Sequence, residues 1–393
     1  MHNWAAYIRQ NLPPLAVGPE RENTIIAELA LQMEQSYTDA LTSGVPEEEA
    51  RRKAEVQFGD WQAMAREINA AERPQESEPM GEAWLTGNEC RFANGEFAGR
   101  TLGEVWPKLP VEWTGTRLRG LPRIPLLVKF IFPEDKLSVQ VHPDDTYAEK
   151  HEAAAGGSGK TEMWYVVKAR EGAELRVGLK PRVTSESFRR AIVDGTVEDC
   201  LERLAVQAGD AIFVPAGTAH TIGPGVVLCE IQQHSDLTYR VFDYNRVGAD
   251  GKPRPLHVPQ ALSVMRFGEQ GGGRCDPVRI SHGPVTETFF AACQYFAAER
   301  WEFRERIAAV TSPEHFDLLI FIEGTGRIEF SESAEAYAPA EVWLLPAALG
   351  AYQLVPDVPT TLLRAYVPDL HEFVRRLVDE RVEENAWSRV VHP

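Results

Sequence analysis

GDAIFVPAGTAH, residues 209 to 220, reads as a strand that stops at Pro215, turns at Gly217 and resumes with His220 at the start of the next strand. A glycine, five residues, then Pro-x-Gly-x-x-His is a specific spacing, because the tight turn fixes where the imidazole points. Upstream, LSVQVHPDD sets Gln140 and His142 two apart, hence on one face of a strand, and GKTEMWYVV supplies Glu162. A lone histidine is more often a satisfied core or surface side chain than a ligand. Here two histidines arrive in patterns that reinforce each other. Gln140, His142, Glu162 and His220 offer two imidazoles, a carboxylate and an amide oxygen, a set suited to one zinc or similar divalent ion per chain.

Outward from this centre, PLLVKFIF, LSVQV, MWYVV, ELRVGL, DAIFVP and VVLCEIQQ are short apolar runs broken by Gly and Pro, the texture of a β-rich body from residue 81. TSESFRRAIVDGTVEDCLERL, about 184–204, is expected as a helical insert, capped by Thr184 or Ser185. From 271 to 393 a second strand-rich half follows, ending in a helix. Aligning EVWLLP with DAIFVP puts Ala340 at the glycine, Pro346 at the proline and Ala351 where His220 stands, so this half has lost the metal. Gly271, Gly272 and Gly273 lack a following Lys-Ser/Thr and read as a flexible joint, not a phosphate loop. Asp144 and Asp145 read as helix caps, and His151 and His234 receive no role.

Residues 1–72 differ in kind. Ile25, Leu29, Met33, Tyr37 and Leu41 recur at a spacing of four, and helix signals recur at Pro46 and at Asp60, before Trp61, Met64 and Ile68. A small all-α module, a linker at 73–80 and a metal-binding barrel with its insert at 81–270 complete the expected order. With 41 basic and 58 acidic residues the chain carries −17, which argues against nucleic acid as a partner. No apolar run reaches membrane-spanning length and no signal peptide opens the chain, so a cytoplasmic location is expected. Cys90, Cys200, Cys229, Cys275 and Cys293 form no CxxC pair and suggest neither disulfides nor a thiolate site.

The turn motif resembles the second motif of the cupin fold, and from residue 81 onward the chain is similar to the short bacterial phosphomannose isomerases. PLLVKFIFPEDKLSVQVHPDD, GKTEMWYVV, FVPAGTAHTIG and LTYRVFDYNR resemble that family's signatures in order, and GEAW at 81–84 resembles its early GESW element. The resemblance implies a mainly β fold of two cupin (jelly-roll) barrels, the second degenerate. It implies zinc on Gln140, His142, Glu162 and His220, and the interconversion of mannose 6-phosphate and fructose 6-phosphate through an enediol. It also implies that Arg240 is the active-site arginine. Lys160, two before Glu162, shares that ligand's face; an amine with a metal-lowered pKa there would move protons. Lys129 and Ser138 are the candidate substrate contacts, with a solvated strand-end lysine the plainer account of Lys129.

The family's Trp-Gly-Gly strand before GEAW is absent, which keeps a rival reading open: a non-catalytic, metal-dependent sugar-phosphate binder or sensor. An iron cupin oxygenase is the weaker third reading, because Gln140 holds the place of a first histidine. The stretch IIAELALQMEQSYTDALTSGVPEEEARRKAEVQFGD resembles the small helical domain ahead of certain bacterial permeases. It implies a protein partner for residues 1–72; a helical set that simply packs on its neighbour is the plainer alternative.

Overall fold

The computed structural model describes residues 4–13, 15, 19–71, 81–153, 156–247, 251–268, 271–331 and 333–393; the expected linker at 73–80 lies outside them. The chain divides into two compact units, Met1–Pro79 and Met80–Pro393.

In the smaller unit the helices are Trp4–Asn11, Pro19–Thr42, Glu47–Gln57 and Trp61–Ala71. Of the expected stripe Ile25 and Met33 are buried, Leu29 and Tyr37 partly so, whereas Leu41 at its end is exposed; Ile26, outside the stripe, is buried too. Asp60 Oδ1 accepts from the Ala63 amide at 2.8 Å, the cap expected there. Trp4 and Ile8, on the first helix, join Phe58 and Trp61 in the core. That helix is too short for its periodicity to declare it in the sequence.

The larger unit is built from two sandwiches. In the first, a six-stranded sheet runs in the order Glu82–Trp84, Leu126–Ile131, Val226–Gln233, Glu162–Ala169, Ala211–Val214, Gly273–Arg274. It faces a five-stranded sheet ordered Tyr239–Phe242, Val139–Val141, His220–Ile222, Glu174–Leu179, Leu201–Ala205. Alternation along each strand divides the side chains between faces. Ile131, Trp164, Val177, Ile222 and Leu228 fill the barrel interior. Val128, Phe130, Met163 and Ile231 point the other way and pack on Phe290, Phe316, Leu318 and Leu363 of the second sandwich. Burial of a large apolar side chain contributes roughly 1.5–3 kcal/mol, so this shared core makes the sandwiches one unit. The outer face of the smaller sheet is covered by the helices Ser185–Asp194 and Val258–Val264.

The second sandwich pairs a seven-stranded sheet, containing Val285–Cys293, Ala297–Phe303, Thr360–Tyr366, Asp317–Glu323 and Val342–Leu345, with a four-stranded one, Ile307–Val310, Ala351–Pro356, Gly326–Phe330, Ser333–Tyr337. The C-terminal helix Leu370–Asp379 packs Phe373 and Leu377 against Val278 and Phe289.

Two expectations are corrected. The helical insert ends at Asp194; after the short 3-10 turn Val197–Cys200, residues Leu201–Ala205 form an edge strand paired with Glu174–Leu179. Leu201 and Leu204 satisfy a helix stripe as readily as a strand, and pairing decides. The glycine run is no joint: Gly273 pairs with Phe213 in the six-stranded sheet. A Cβ on Gly272 would stand 2.4 Å from the Phe213 carbonyl oxygen, so the glycines are there for close backbone approach.

Candidate metal centre

The two sheets of the first barrel bring the expected ligands together from separate strands. Gln140 lies opposite His220 in the small sheet, and Glu162 opens its strand in the large one. His142, Glu162 and His220 are at most 1% exposed, and their ligand atoms lie within 4.8 Å of one another. His142 Nδ1 is 2.8 Å from the Leu237 carbonyl and His220 Nδ1 is 2.9 Å from that of Thr218. A carbonyl only accepts, so each ring carries its proton on Nδ1 and turns the Nε2 lone pair inward, the arrangement metal-binding histidines use. The inward atoms converge on one carboxylate: His142 Nε2 is 3.3 Å from Glu162 Oε1, and His220 Nε2 is 3.9 Å from Oε2. Gln140 Nε2 stands 3.2 Å from His220 Nε2, and an amide flip brings its oxygen into the same donor set.

This set fits a divalent ion. Glu162 Oε1 is fully buried, 2.5 Å from Lys160 Nζ and 3.3 Å from His142 Nε2, yet accepts no hydrogen bond. Burial, and then Lys160, depress the His142 pKa; burial brings His220 down to about 3 against the pull of Glu162. Both imidazoles are therefore neutral at pH 7, the form that ligates. Burial alone would raise the Glu162 carboxyl, but Lys160 and His142 hold it well below the usual carboxylate range.

Without a metal ion, burial works against the charge on Lys160 but Glu162 and Glu230 raise its pKa, so there it is an ammonium. A second residue has a pKa shifted toward neutrality. Glu230, which the sequence reading passed over within VVLCEIQQ, lies opposite both Lys129 and Trp164 on the interior face of the large sheet. Burial, followed by the neighbouring Glu162 carboxylate, pushes Glu230 up to about 7. The Trp164 indole N–H donates to Glu162 Oε2 at 3.1 Å and to Glu230 Oε1 at 3.0 Å, bridging the two acids. Only an acidic residue in an otherwise apolar strand signalled Glu230.

Lys129 is buried, with its ammonium 4.0 Å from the Trp84 ring and 3.5 Å from Glu82. This removes the solvated strand-end account. Ser138 is buried too, its hydroxyl 3.3 Å from Gln140 Oε1. Arg240 lies opposite Gln140 in the sheet, on the interior face, and its buried Nε has no partner. Nearby, Asp243 pairs with Arg246 and Arg254, each at 2.5 Å. Burial and Arg254 lower the Arg240 pKa, the mark of a guanidinium in positive surroundings. Three arginines against Asp243 and Asp135, the latter 3.6 Å from Arg246, still leave an excess of positive charge that an anion would neutralise.

Comparison with known proteins points the same way. The family model for the catalytic domain of type I phosphomannose isomerases matches residues 50–191. The mannose-6-phosphate isomerase ManA of Bacillus subtilis is 34% identical over 287 residues, covering 71% of this chain and 87% of that protein. A mannose-6-phosphate isomerase of Streptococcus mutans is 32% identical over 286 residues, 72% of this chain and 87% of the relative. Among solved structures, the Bacillus subtilis mannose 6-phosphate isomerase aligns with a TM-score of 0.67 at 31% identity, over 74% of this chain and 90% of that one.

Proposed function

We propose, from the premise that this chain belongs to the phosphomannose isomerase family, that its first barrel interconverts mannose 6-phosphate and fructose 6-phosphate with one zinc ion held by Gln140, His142, Glu162 and His220. The convergence of two inward Nε2 atoms on Glu162, with Glu230 beside them, is the observation that carries the reading. Kinship with isomerases favours an enzyme over a mere binder, and Glu230, buried beside the ligands with a raised pKa, supplies the acid–base group that reading needs.

Moving a carbonyl between C1 and C2 removes a proton next to it and passes through an enediol with developing negative charge. A bound zinc ion would supply Lewis-acid polarisation of the substrate oxygens. Glu230, at about 7, is suited to take the carbon-bound proton and return it to the neighbouring carbon. Lys160, as an ammonium, offsets negative charge on the enediol oxygens. Lys129 lies across from Glu230 and supports its ionised form. Arg240, with the surplus charge of Arg246 and Arg254, suits the phosphate dianion, and Ser138 offers it a hydroxyl.

Among the described residues no helix is long and apolar enough to cross a membrane, and with a sugar phosphate as substrate we assign the chain to the cytoplasm. For the N-terminal unit we retain a protein-binding role; Leu31 and Val56, about 70% exposed, are the apolar side chains it offers.

The test is a coupled assay for fructose 6-phosphate formed from mannose 6-phosphate, before and after chelation and zinc readdition. Turnover lost on chelation, restored by zinc and absent in His220→Ala is expected. Tight binding of one metal per chain without turnover would overturn the enzyme reading in favour of the binder.

A further inference from the structure

We propose that Asp145 and Tyr295 form a positioning pair through which the second barrel fixes the turn carrying Lys160 and Glu162. For turnover this rests on the isomerase reading; for metal binding it does not. Asp144 alone caps the helix Asp145–His151, accepting from the Tyr147 amide at 2.8 Å. Asp145, expected as a second cap, does something else. Its Oδ1 accepts from the Gly159 amide at 2.9 Å and from Gln233 Nε2 at 3.1 Å. Gln233 Oε1 in turn accepts from the Thr161 amide at 2.8 Å, so one carboxylate ties down the backbone on both sides of Lys160. The fit is close: a Cβ on Gly159 would stand 2.5 Å from Asp145 Oδ1.

The other oxygen of Asp145 receives the Tyr295 hydroxyl at 2.7 Å. Tyr295 belongs to the second sandwich, on the turn between Val285–Cys293 and Ala297–Phe303, and is half-buried. Burial, then the Asp145 carboxylate, raises the Tyr295 pKa, which keeps the hydroxyl a donor. The turn also has backbone bonds of its own, Lys160 N–H to the Pro143 carbonyl at 3.0 Å and Gln233 N–H to that of Thr161 at 3.1 Å. Loss of the pair therefore leaves the turn folded but broadens its placement, and catalytic and ligating groups tolerate little of that.

The experiment uses the full chain with Tyr295→Phe, Asp145→Ala and the double variant, reading kcat, KM, Tm and zinc affinity against a competing chelator. For Asp145→Ala we expect kcat and zinc affinity to fall about 10-fold to 100-fold, the range for groups that orient ligands. For Tyr295→Phe we expect a several-fold loss in both, with KM and Tm near the parent values. In the Asp145→Ala background, Tyr295→Phe should add nothing, because the hydroxyl acts only through that carboxylate. Parental kcat and zinc affinity in Tyr295→Phe, additive effects in the double variant, or losses that follow Tm would overturn the proposal. If the parent chain itself fails to turn over, the isomerase reading falls and the zinc affinities alone decide the role of the pair.

Discussion

The interiors of the two barrels use the same strand positions for opposite ends. In the first, Lys129 faces Glu230 across the sheet, Glu230 faces Trp164, and Glu162 lies two residues before Trp164. In the second, Glu299 faces Arg364, Arg364 faces Leu319, and Asp317 lies two before Leu319. Cation and acid have changed places between the first two positions, while the third keeps its carboxylate. His220 has no counterpart: Ala351, at its place, lies opposite Val310, and the histidine that does approach the acid, His315, comes from outside the strand positions of the first barrel and stands 3.4 Å from Asp317. A guanidinium now occupies Asp317. Arg364 Nη2 donates to both its oxygens at 3.0 and 3.1 Å, Arg364 Nη1 lies 3.5 Å from Glu299, and Arg376 of the C-terminal helix pairs with Glu287 at 2.7 Å. Burial opposes the charge on Arg364, but Asp317 and Glu299 hold its pKa well above the usual value. One barrel leaves its lone pairs for a metal and a substrate; the other consumes them internally.

The sharpest way to test that contrast is His220→Ala, which should remove zinc binding and take turnover below detection while the second barrel stays folded by near-ultraviolet circular dichroism. Next in size, Glu230→Gln should lower kcat about 10²-fold to 10⁴-fold, the worth of a positioned general base. Its parent should show kcat/KM falling as pH drops through about 7, because the base must be deprotonated and burial has raised its pKa to that value; the variant's profile should lose that limb. In the other barrel, Arg364→Ala should cost about 3–5 kcal/mol in denaturant unfolding, since it strands buried carboxylates, with zinc affinity unchanged. Smallest of all, Val310→Gln, Ser312→His and Ala351→His together should confer no second zinc site by equilibrium dialysis. Binding of a second ion would show that the missing donors, and not Arg364, keep that barrel empty.

The sequence carried the metal centre because a turn motif and an x-spaced pair declare strand faces without tertiary information. Alternation set Gln140 and His142 on one face, the turn placed His220 and the family resemblance joined Glu162 to them; the structure brings His142, Glu162 and His220 together in a barrel that the family shares. Glu230 gave no more than an acid in an apolar run, because its meaning depends on which strands are neighbours: only the pairing of Val226–Gln233 with both Leu126–Ile131 and Glu162–Ala169 brings it between Lys129 and Trp164. The same limit hid Asp145, whose partners Gly159, Gln233 and Tyr295 are far along the chain. Leu201–Ala205 and the glycine run differ from expectation for a related reason: local pattern does not reveal the strand that each joins.

The ion pairs of the second barrel also bear on where this chain can be changed. Removal of Arg364 alone leaves Asp317 and Glu299 buried without their guanidinium, which is costly. Arg364 thus acts as a plug, and new chemistry is more readily engineered at the rim of the first barrel than inside the second, where any added group must first displace a buried ion pair.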